Sequence, residues 1–345
     1  MKTEKKYRNL LVTGGCGFIG SNFINYALNQ QSYFFNRIVN LDKLTYAGDI
    51  RNTEKFNSNE LYRFVQGDIC DKNKVNEILR EYNIDSVMHF AAESHVDNSI
   101  LGPYEFIKTN ILGTYNLLDC SHNFQQTANI NDFVFVHVST DEVYGSLNFN
   151  DPSFTETNQY QPNSPYSASK ASSDHLARAW YETYDFNTII TNCSNNYGPY
   201  QNKEKLIPKI INNALNHAEI PIYGDGKNIR DWLYVEDHCK ALLKIMFHGD
   251  PGNTYNIGGI NEIENITLVT KICELLDKKI PINSDHHSSY KDLIRFVKDR
   301  PGHDLRYSID TTKIFKSLGW KPEETFDTGI EKTIEWYLER IGIEK

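Results

Sequence analysis

Tyr166-Ser167-Ala168-Ser169-Lys170 follows Pro165 and sets a phenol and an ammonium four residues apart. On a helix that spacing puts both groups on one face. A free tyrosine titrates near pH ~10, too high for a base at neutral pH. A cation ~4–5 Å away, at an effective dielectric of ~20, is worth roughly 4 kcal/mol, or up to about three pKa units. Lys170 is therefore expected to make Tyr166 a usable base. The same spacing occurs on ordinary helix faces, so the pair needs company to mean anything. That company is Ser139-Thr140-Asp141-Glu142-Val143-Tyr144-Gly145, with two adjacent carboxyl groups. Eliminating water takes a base for a proton on carbon and an acid for the departing hydroxyl. Like charges held close raise one pKa, so one carboxyl can stay protonated while the other ionises. If the segment is extended, neighbouring side chains point to opposite sides. The plainer alternative is a polar turn or a helix cap.

Chemistry of this kind needs a frame. Leu10–Val12, Ile38–Leu41, Tyr62–Val65, Val87–Phe90, Phe133–Val138 and Thr188–Asn192 read as buried strands. Between them, Lys72–Tyr82, Pro103–His122 and Tyr166–Tyr184 read as helices. Continuous apolar strands alternating with amphipathic helices imply an α/β fold: a Rossmann-type, doubly wound parallel sheet covered on both faces. Ligands of such sheets bind at the carboxyl ends of the strands, where Ser139–Gly145 lies.

Thr13-Gly14-Gly15-Cys16-Gly17-Phe18-Ile19-Gly20 follows the first strand and opens the first helix. A backbone that must turn sharply and approach a pyrophosphate needs glycine, and the helix start then offers free N–H groups. Asp42 closes the second strand, about twenty residues further on, where a carboxylate can hold the adenosine ribose and repel a 2′-phosphate. That favours NAD over NADP; a solvated turn aspartate is the plainer reading. Asp68, at the end of the third strand, is placed to hold the adenine edge, and Asp71 reads equally as a helix N-cap.

Past Gly198-Pro199 the pattern becomes irregular, with turns at Tyr223-Gly224-Asp225-Gly226 and Asp299-Arg300-Pro301-Gly302. Only Asp237–Phe247 and Tyr255–Ile257 still read as core helix and strand. The expected organisation is a nucleotide-binding domain over residues 1–198, with returning segments near 237–258. A smaller, discontinuous substrate domain then occupies mainly 199–345.

A formal net charge of −9 argues against nucleic-acid or anionic-membrane partners, which would be repelled at long range. Met1–Arg8 is basic but no apolar stretch of the signal-peptide kind follows it, and no segment is long and apolar enough to span a bilayer. Cys16, Cys70, Cys120, Cys193, Cys239 and Cys273 lie far apart without a CxxC pair, the pattern of reduced structural thiols. A cytoplasmic location and no bound metal are expected; the adjacent His286-His287 has no ligand cluster around it.

Taken together, the glycine motif, the STDEVYG segment and YSASK resemble the extended short-chain dehydrogenase/reductases that act on nucleotide sugars, and among them the dehydratases. Leu41–Gly48, Ala91–Asp97, Asn192–Pro199, Glu204–Pro208, Arg230–His238 and Asp299–Asp304 look like that family too, so the similarity runs from residue 9 to about 310. Related decarboxylases carry Ser between the Thr and the Glu, and epimerases lack the acidic pair, which makes Asp141 the discriminating residue. The resemblance implies a hydro-lyase that uses bound NAD, takes dTDP-glucose, and forms a 4-keto-6-deoxy sugar nucleotide for deoxysugar biosynthesis. UDP-glucose remains the alternative, since one methyl is worth only ~1–3 kcal/mol of discrimination.

The resemblance also implies roles for individual residues. Tyr166 and Lys170 would serve the oxidation, Thr140 would hydrogen-bond the reacting oxygen, Glu142 would be the base at carbon 5 and Asp141 the acid. Cofactor contacts would come from Gly14, Gly17, Phe18, Ile19, Gly20, Asp42, Lys43, Leu44, Thr45, Asp68, Ile69, Phe90, Ala91, Ala92, Ser94, Thr109, Tyr166, Lys170 and Asn196. Substrate contacts would come from Ser94, Thr140, Asn195, Lys205, Leu206, Pro221, Ile222, Tyr223, Arg230, Asn265, Asp299, Arg300 and His303. Arg230 suits a diphosphate clamp because its fork matches such oxygens, the plainer reading being a structural ion pair. A homodimer through helices like Pro103–His122 and Tyr166–Tyr184 is implied as well. Asn98 replaces the arginine usual after His95-Val96-Asp97, and Asn202-Lys203 replaces the family's residues before Glu204; both touch the presumed substrate side. An NAD-binding sensor without catalysis is the rival from another class, and it would have no need of the intact tyrosine, lysine and acidic pair.

Overall fold

Short runs of leucine, isoleucine and valine without a polar face become strands covered on both sides. The computed structural model describes residues 9–30, 35–282, 286–340 and 342; Met1–Arg8 lies outside them. Seven parallel strands form the main sheet: β1 (Asn9–Thr13), β2 (Arg37–Asp42), β3 (Tyr62–Gln66), β4 (Ser86–His89), β5 (Val134–Thr140), β6 (Thr188–Cys193) and, after a long excursion, β10 (Thr254–Ile257). Their order is β10-β6-β5-β4-β1-β2-β3, so strand order reverses beside β1 and β4. The switch point predicted from the sequence lies there, and Thr140 ends β5 opposite Cys193.

Helices cover both faces. α1 (Phe18–Asn29), α8 (Val235–His248) and α10 (Thr312–Leu318) enclose one core layer with Leu10, Val12, Phe23, Ile189 and Leu242. α2 (Lys72–Glu81), α5 (Thr114–Ala128) and α6 (Pro165–Tyr184) enclose the other with Leu11, Val39, Val75, Leu117, Phe135 and Phe186. α6 begins with Ser164 and Ser167 capping each other reciprocally and Pro165 in its first turn, which fixes where Tyr166 and Lys170 sit. Asp71 is the N-cap of α2, accepting from the amides of Asn73 and Lys74.

Two sequence expectations need correction. The helix read as continuous over Pro103–His122 is in fact three pieces: α4 (Pro103–Phe106), a π-helical stretch Ile107–Gly113, and α5; a short α3 (Val96–Leu101) precedes them. The wide turn sets buried Asn110 against Glu93, whose amide it accepts at 2.8 Å, and against Ser169 of α6 at 2.8 Å. A 3.6-residue periodicity cannot reveal such a turn, which adds one residue per bond. The stretch past Gly198, expected to be irregular apart from Asp237–Phe247 and Tyr255–Ile257, contains besides α8 and α10 the helices α7 (Leu206–Leu215), α9 (Asn265–Lys279) and α11 (Phe326–Arg340). They surround a separate core with Tyr197, Trp232, Tyr234 and Phe326, next to β7 (Asn195–Tyr197), β9 (Ile229–Tyr234) and β11 (Glu262–Glu264) in one small sheet. β8 (Ile220–Tyr223) pairs with β12 (Ile294–Val297) in another. Among the described residues no helix is long and apolar enough to cross a membrane.

Candidate active site

One cleft runs along the carboxyl ends of β1, β2, β4, β5 and β6. At its first end the β1–α1 turn brings Gly14, Gly17, Phe18, Ile19 and Gly20 to the wall. Gly14 has φ +71°, and a Cβ there would lie 2.8 Å from the backbone of Ala91; one on Gly20 would lie 2.4 Å from the Gly14 carbonyl. Only glycine fits either place. Gly17 instead faces open space, where an added Cβ would meet only the Gly14 carbonyl at 3.2 Å and the Ala47 carbonyl at 4.0 Å. This is a cradle suited to phosphate oxygens at the start of α1.

Asp42 closes β2 and is buried, and burial raises its carboxyl above the usual range, opposed by two amides. Those amides belong to Leu44, which donates to Oδ1 at 2.8 Å, and Cys16, which donates to Oδ2 at 2.8 Å. A carboxylate has about four acceptor positions, so Asp42 can brace this turn and still receive ribose hydroxyls. Leu44 does not border the cleft; it adopts φ +58°, a left-handed conformation costing roughly 1–2 kcal/mol, which the bond to Asp42 holds in place. Lys43, Thr45, Asp68 and Ile69 do border it. Asp68 lies two residues past the end of β3, paired with Lys43 at 2.8 Å. Phe90, Ala91, Ala92, Ser94, Thr109 and Asn196 line the same cleft further along.

In the middle lie Thr140, Glu142, Tyr166 and Lys170. Burial pushes the Tyr166 phenol well above its ordinary value, the Glu142 charge adds to this, and the Thr140 hydroxyl works the other way. Lys170, one helical turn on, donates its ammonium to the Val138 carbonyl at 2.9 Å, and burial brings it down to about 8. Sequence spacing places the two on one face but cannot reveal the desolvation of both.

The acidic pair is not extended either. Asp141–Tyr144 forms a single 3₁₀ turn, capped by the Thr140 hydroxyl accepting from the Glu142 amide at 3.3 Å. With three residues per turn, adjacent side chains diverge by about 120° rather than pointing oppositely. Glu142 reaches the cleft, whereas Asp141 lies behind it and is 2% exposed. Burial holds Asp141 well above its ordinary range, reinforced by Glu142 and Asp231. Burial also raises Glu142, but Lys205, Arg230 and Arg300 pull it back. Asp141 is thus the member pushed further toward its protonated form, and the member with cations around it is Glu142. The second Asp141 oxygen is buried without a hydrogen-bond partner.

The far end is less continuous. Asn195 and Lys205 line the cleft; Lys205, at the start of α7, donates to the Ser94 carbonyl at 2.7 Å. Leu206, Pro221, Ile222, Tyr223, Arg230, Asn265, Asp299, Arg300 and His303 do not line it. Arg230 is buried, with its guanidinium donating to the carbonyls of Ile229 at 2.7 Å and Asp304 at 2.9 Å and stacked 4.2 Å from the Tyr307 ring. Among the described residues it has no ion-pair partner, and its charge acts on Glu142 in the cleft. Arg300 reaches Asp97 at 3.1 Å, His303 lies 2.6 Å from Asp299, and Tyr223 meets the His303 ring edge-on. Asn195 Oδ1, Asn265 Oδ1 and Arg300 Nε are buried polar atoms without protein partners.

Sequence reasoning missed several residues. Glu93, Ser139, Cys193, Gln201 and Glu204 all border the cleft, as does Asn202, which the sequence placed on the substrate side, and burial raises Glu93, whose carboxyl meets the Tyr46 hydroxyl. Asn98, the departure from the usual arginine, also faces Tyr46. Asp231 and His238 support the site from β9 and α8. A signal existed for Glu93 and Glu204, which sit inside family-like stretches.

This geometry is not unique to the chain. Residues 11–333 match the family model described as GDP-mannose 4,6 dehydratase. The dTDP-glucose 4,6-dehydratase of Shigella flexneri is 53% identical over 340 residues, covering 95% of this chain and 92% of its own. The dTDP-glucose 4,6-dehydratase of Streptomyces venezuelae, solved with NAD and TYD bound, is 42% identical and superposes with a TM-score of 0.86, over 97% of this chain and 98% of its own. The Bacillus anthracis dTDP-glucose 4,6-dehydratase, solved in complex with NAD, gives 40% and 0.83, over 96% and 97%. With a model match over nearly its whole length and relatives at half identity, the chain belongs to the GDP-mannose 4,6 dehydratase family.

Proposed function

We propose that the chain removes water from dTDP-glucose to give dTDP-4-keto-6-deoxyglucose. The observation that carries this reading is the split acidic pair: a 3₁₀ turn buries Asp141 behind the wall, where its carboxyl is raised, and sets Glu142 in the cleft, where Lys205, Arg230 and Arg300 favour its charge. The cofactor is NAD, which supplies a hydride acceptor at carbon 4 and a hydride donor at carbon 6. Gly17, Asp42 and the Lys43–Asp68 pair would hold it.

Side chains do the rest. Tyr166 takes the hydroxyl proton at carbon 4, with Thr140 hydrogen-bonded to the same oxygen and Lys170 behind it. A ketone at carbon 4 acidifies the hydrogen at carbon 5, and Glu142 removes it as Asp141 protonates the leaving hydroxyl at carbon 6. Glu142 then returns a proton to carbon 5. Order is imposed by acidity, since without the ketone a carboxylate is far too weak a base for that carbon.

Residues 1–198, with the returning segments near 237–258, are assigned to the cofactor, and 199–345 mainly to the nucleotide. The unpartnered Asn265 and Arg300 atoms support the second assignment. A homodimer completes the reading. Leu101 (86% exposed), Tyr104 (67%), Leu112 (53%) and Ile107 (47%) form an apolar face on α3, α4 and the π-helical stretch. Such faces mark interaction sites on otherwise soluble folds. All six cysteines are free thiols, which fits the cytoplasm.

The test is to incubate the protein with dTDP-glucose and with UDP-glucose separately and weigh the products. Loss of one water from the thymidine substrate, without added NAD and without free NADH accumulating, is expected. Unchanged mass with altered stereochemistry at carbon 4 would make it an epimerase.

A further inference from the structure

Behind the catalytic residues lies a sealed polar chamber that the reaction as described does not use. Tyr166, Lys170 and Asp174 occupy successive turns of one face of α6. Asp174 is 1% exposed and does not border the cleft. An ionised carboxylate in such a place is expensive unless it is paired and hydrogen-bonded. Its surroundings come from four elements. Lys170 approaches from its own helix. From β5, His137 Nε2 lies 3.1 Å away, and the Ser139 side chain faces it. From β6, the Asn192 amide donates to it at 3.1 Å, and from the segment before α6 comes the Tyr160 hydroxyl.

His137 brings no charge to this chamber, because burial and the nearby Lys170 hold its imidazole neutral. Its Nε2 also meets Ser173 Oγ at 3.1 Å, while that hydroxyl donates to the Lys170 carbonyl at 2.8 Å. The proton is therefore on Nε2, and Lys170 is the only cation that faces Asp174 among these groups. The Asn192 amide donates a second time, to the Thr140 carbonyl at 3.1 Å, and so ties Asp174 to the strand end that carries the acidic pair.

We propose that Asp174 is a positioning residue for the reaction: its buried carboxylate, one helical turn on from Lys170, keeps that lysine charged on the face of α6 that carries Tyr166. This rests on the proposed function only in that Tyr166 and Lys170 take their roles from it. Burial pulls Lys170 down, and the Asp174 charge is the largest influence opposing it, with Cys193 of β6 next. Burial likewise raises Asp174, to about 6, with the Lys170 charge as the largest opposing influence. Each group thus keeps the other ionised across a window around neutrality.

The sign of the effect is fixed. Lys170 is charged below its midpoint and loses that charge as pH rises through it. Removing the Asp174 charge with Asp174→Asn, which preserves shape, moves that midpoint to lower pH. The experiment uses the NAD-loaded full chain with ¹³C at lysine Cε, the Lys170 resonance being assigned by its loss in Lys170→Met. The expected result is a Lys170 midpoint lower by about one pH unit or more, with the alkaline limb of kcat for water loss shifted the same way. A purely packing role would lower activity at every pH and leave both midpoints alone. An unshifted Lys170 midpoint in folded Asp174→Asn overturns the proposal. If that variant does not fold, Tyr160→Phe removes one hydroxyl that stabilises the carboxylate, and the acid-side inflection of the Lys170 resonance should move up; no movement overturns it equally. A wild-type protein that forms no dehydrated product would refute the proposed function while leaving this lysine titration readable.

Discussion

His238 Nδ1 lies 2.8 Å from Asn196 Oδ1, joining the first turn of α8 to the wall of the cleft. Asn196 spends its amide N–H groups on the Ser194 carbonyl at 2.9 Å and Cys193 Sγ at 3.3 Å, so its oxygen is the acceptor and the imidazole the donor. Burial lowers His238 to about 3, which keeps the ring neutral. His238→Phe removes the donor and leaves the Asn196 oxygen buried and unsatisfied, a loss of about 1–3 kcal/mol. NAD affinity should fall roughly tenfold in calorimetric titration, equally at pH 6 and pH 8, because the ring carries no charge at either. Full affinity in a folded variant would show that Asn196 needs no such support.

Asp42 does two jobs, and two substitutions separate them. Asp42→Ala strips the acceptors from the Cys16 and Leu44 amides and should lower both thermal stability and NAD affinity. Asp42→Asn keeps one acceptor and loses the charge, so the turn should survive while rejection of NADP relaxes. Competition between NAD and NADP for the apoprotein reads this directly. If Asp42→Asn discriminates as well as the parent, the carboxylate serves only the turn.

The exposed face of α3, α4 and the π-helical stretch should disappear into a second copy. Sedimentation is expected to give twice the chain mass, and Leu101→Asp with Ile107→Glu should give a folded monomer. A parent protein that sediments as a monomer at micromolar concentration would leave that face for another purpose.

Local patterns in the amino-acid sequence make much of this protein legible. Gly14–Gly20, Asp42, the acidic pair and Tyr166–Lys170 each occupy a few consecutive residues between recognisable elements, so their placement at one sheet edge follows from the alternation of strands and helices. What stays hidden depends on contacts between distant segments. Asp231 acts on Asp141 across 90 residues, His238 on Asn196 across 42, and Glu93 on Tyr46 across 47. Nothing in the spacing of such pairs marks them. Local conformation misleads in one instructive place. An extended backbone at Asp141-Glu142 would continue β5, but the Thr140 hydroxyl caps a 3₁₀ turn there, and a side-chain cap of this kind competes with strand geometry.

That turn sharpens the last prediction. Asp141 and Glu142 diverge by about a third of a turn, which leaves one behind the wall and brings the other into the cleft. Asp141→Asn keeps the shape but cannot deliver a full carboxyl proton, so water loss should slow by ~10²–10⁴-fold while oxidation at carbon 4 survives. Glu142→Gln removes the base, so water loss and solvent exchange of the carbon 5 hydrogen should both stop. The acid also has a pH signature. Asp141 acts while protonated, and burial with its acidic neighbours carries that state to higher pH until rising pH discharges it. Asp231→Asn removes one of the charges that raise it, and should move the alkaline limb of water loss to lower pH. A single-turnover assay with sugar deuterated at carbon 4 follows NADH absorbance and product mass together. Should Asp141→Asn lose NADH formation as completely as a Tyr166→Phe control, Asp141 serves the oxidation and is not the acid for the departing hydroxyl.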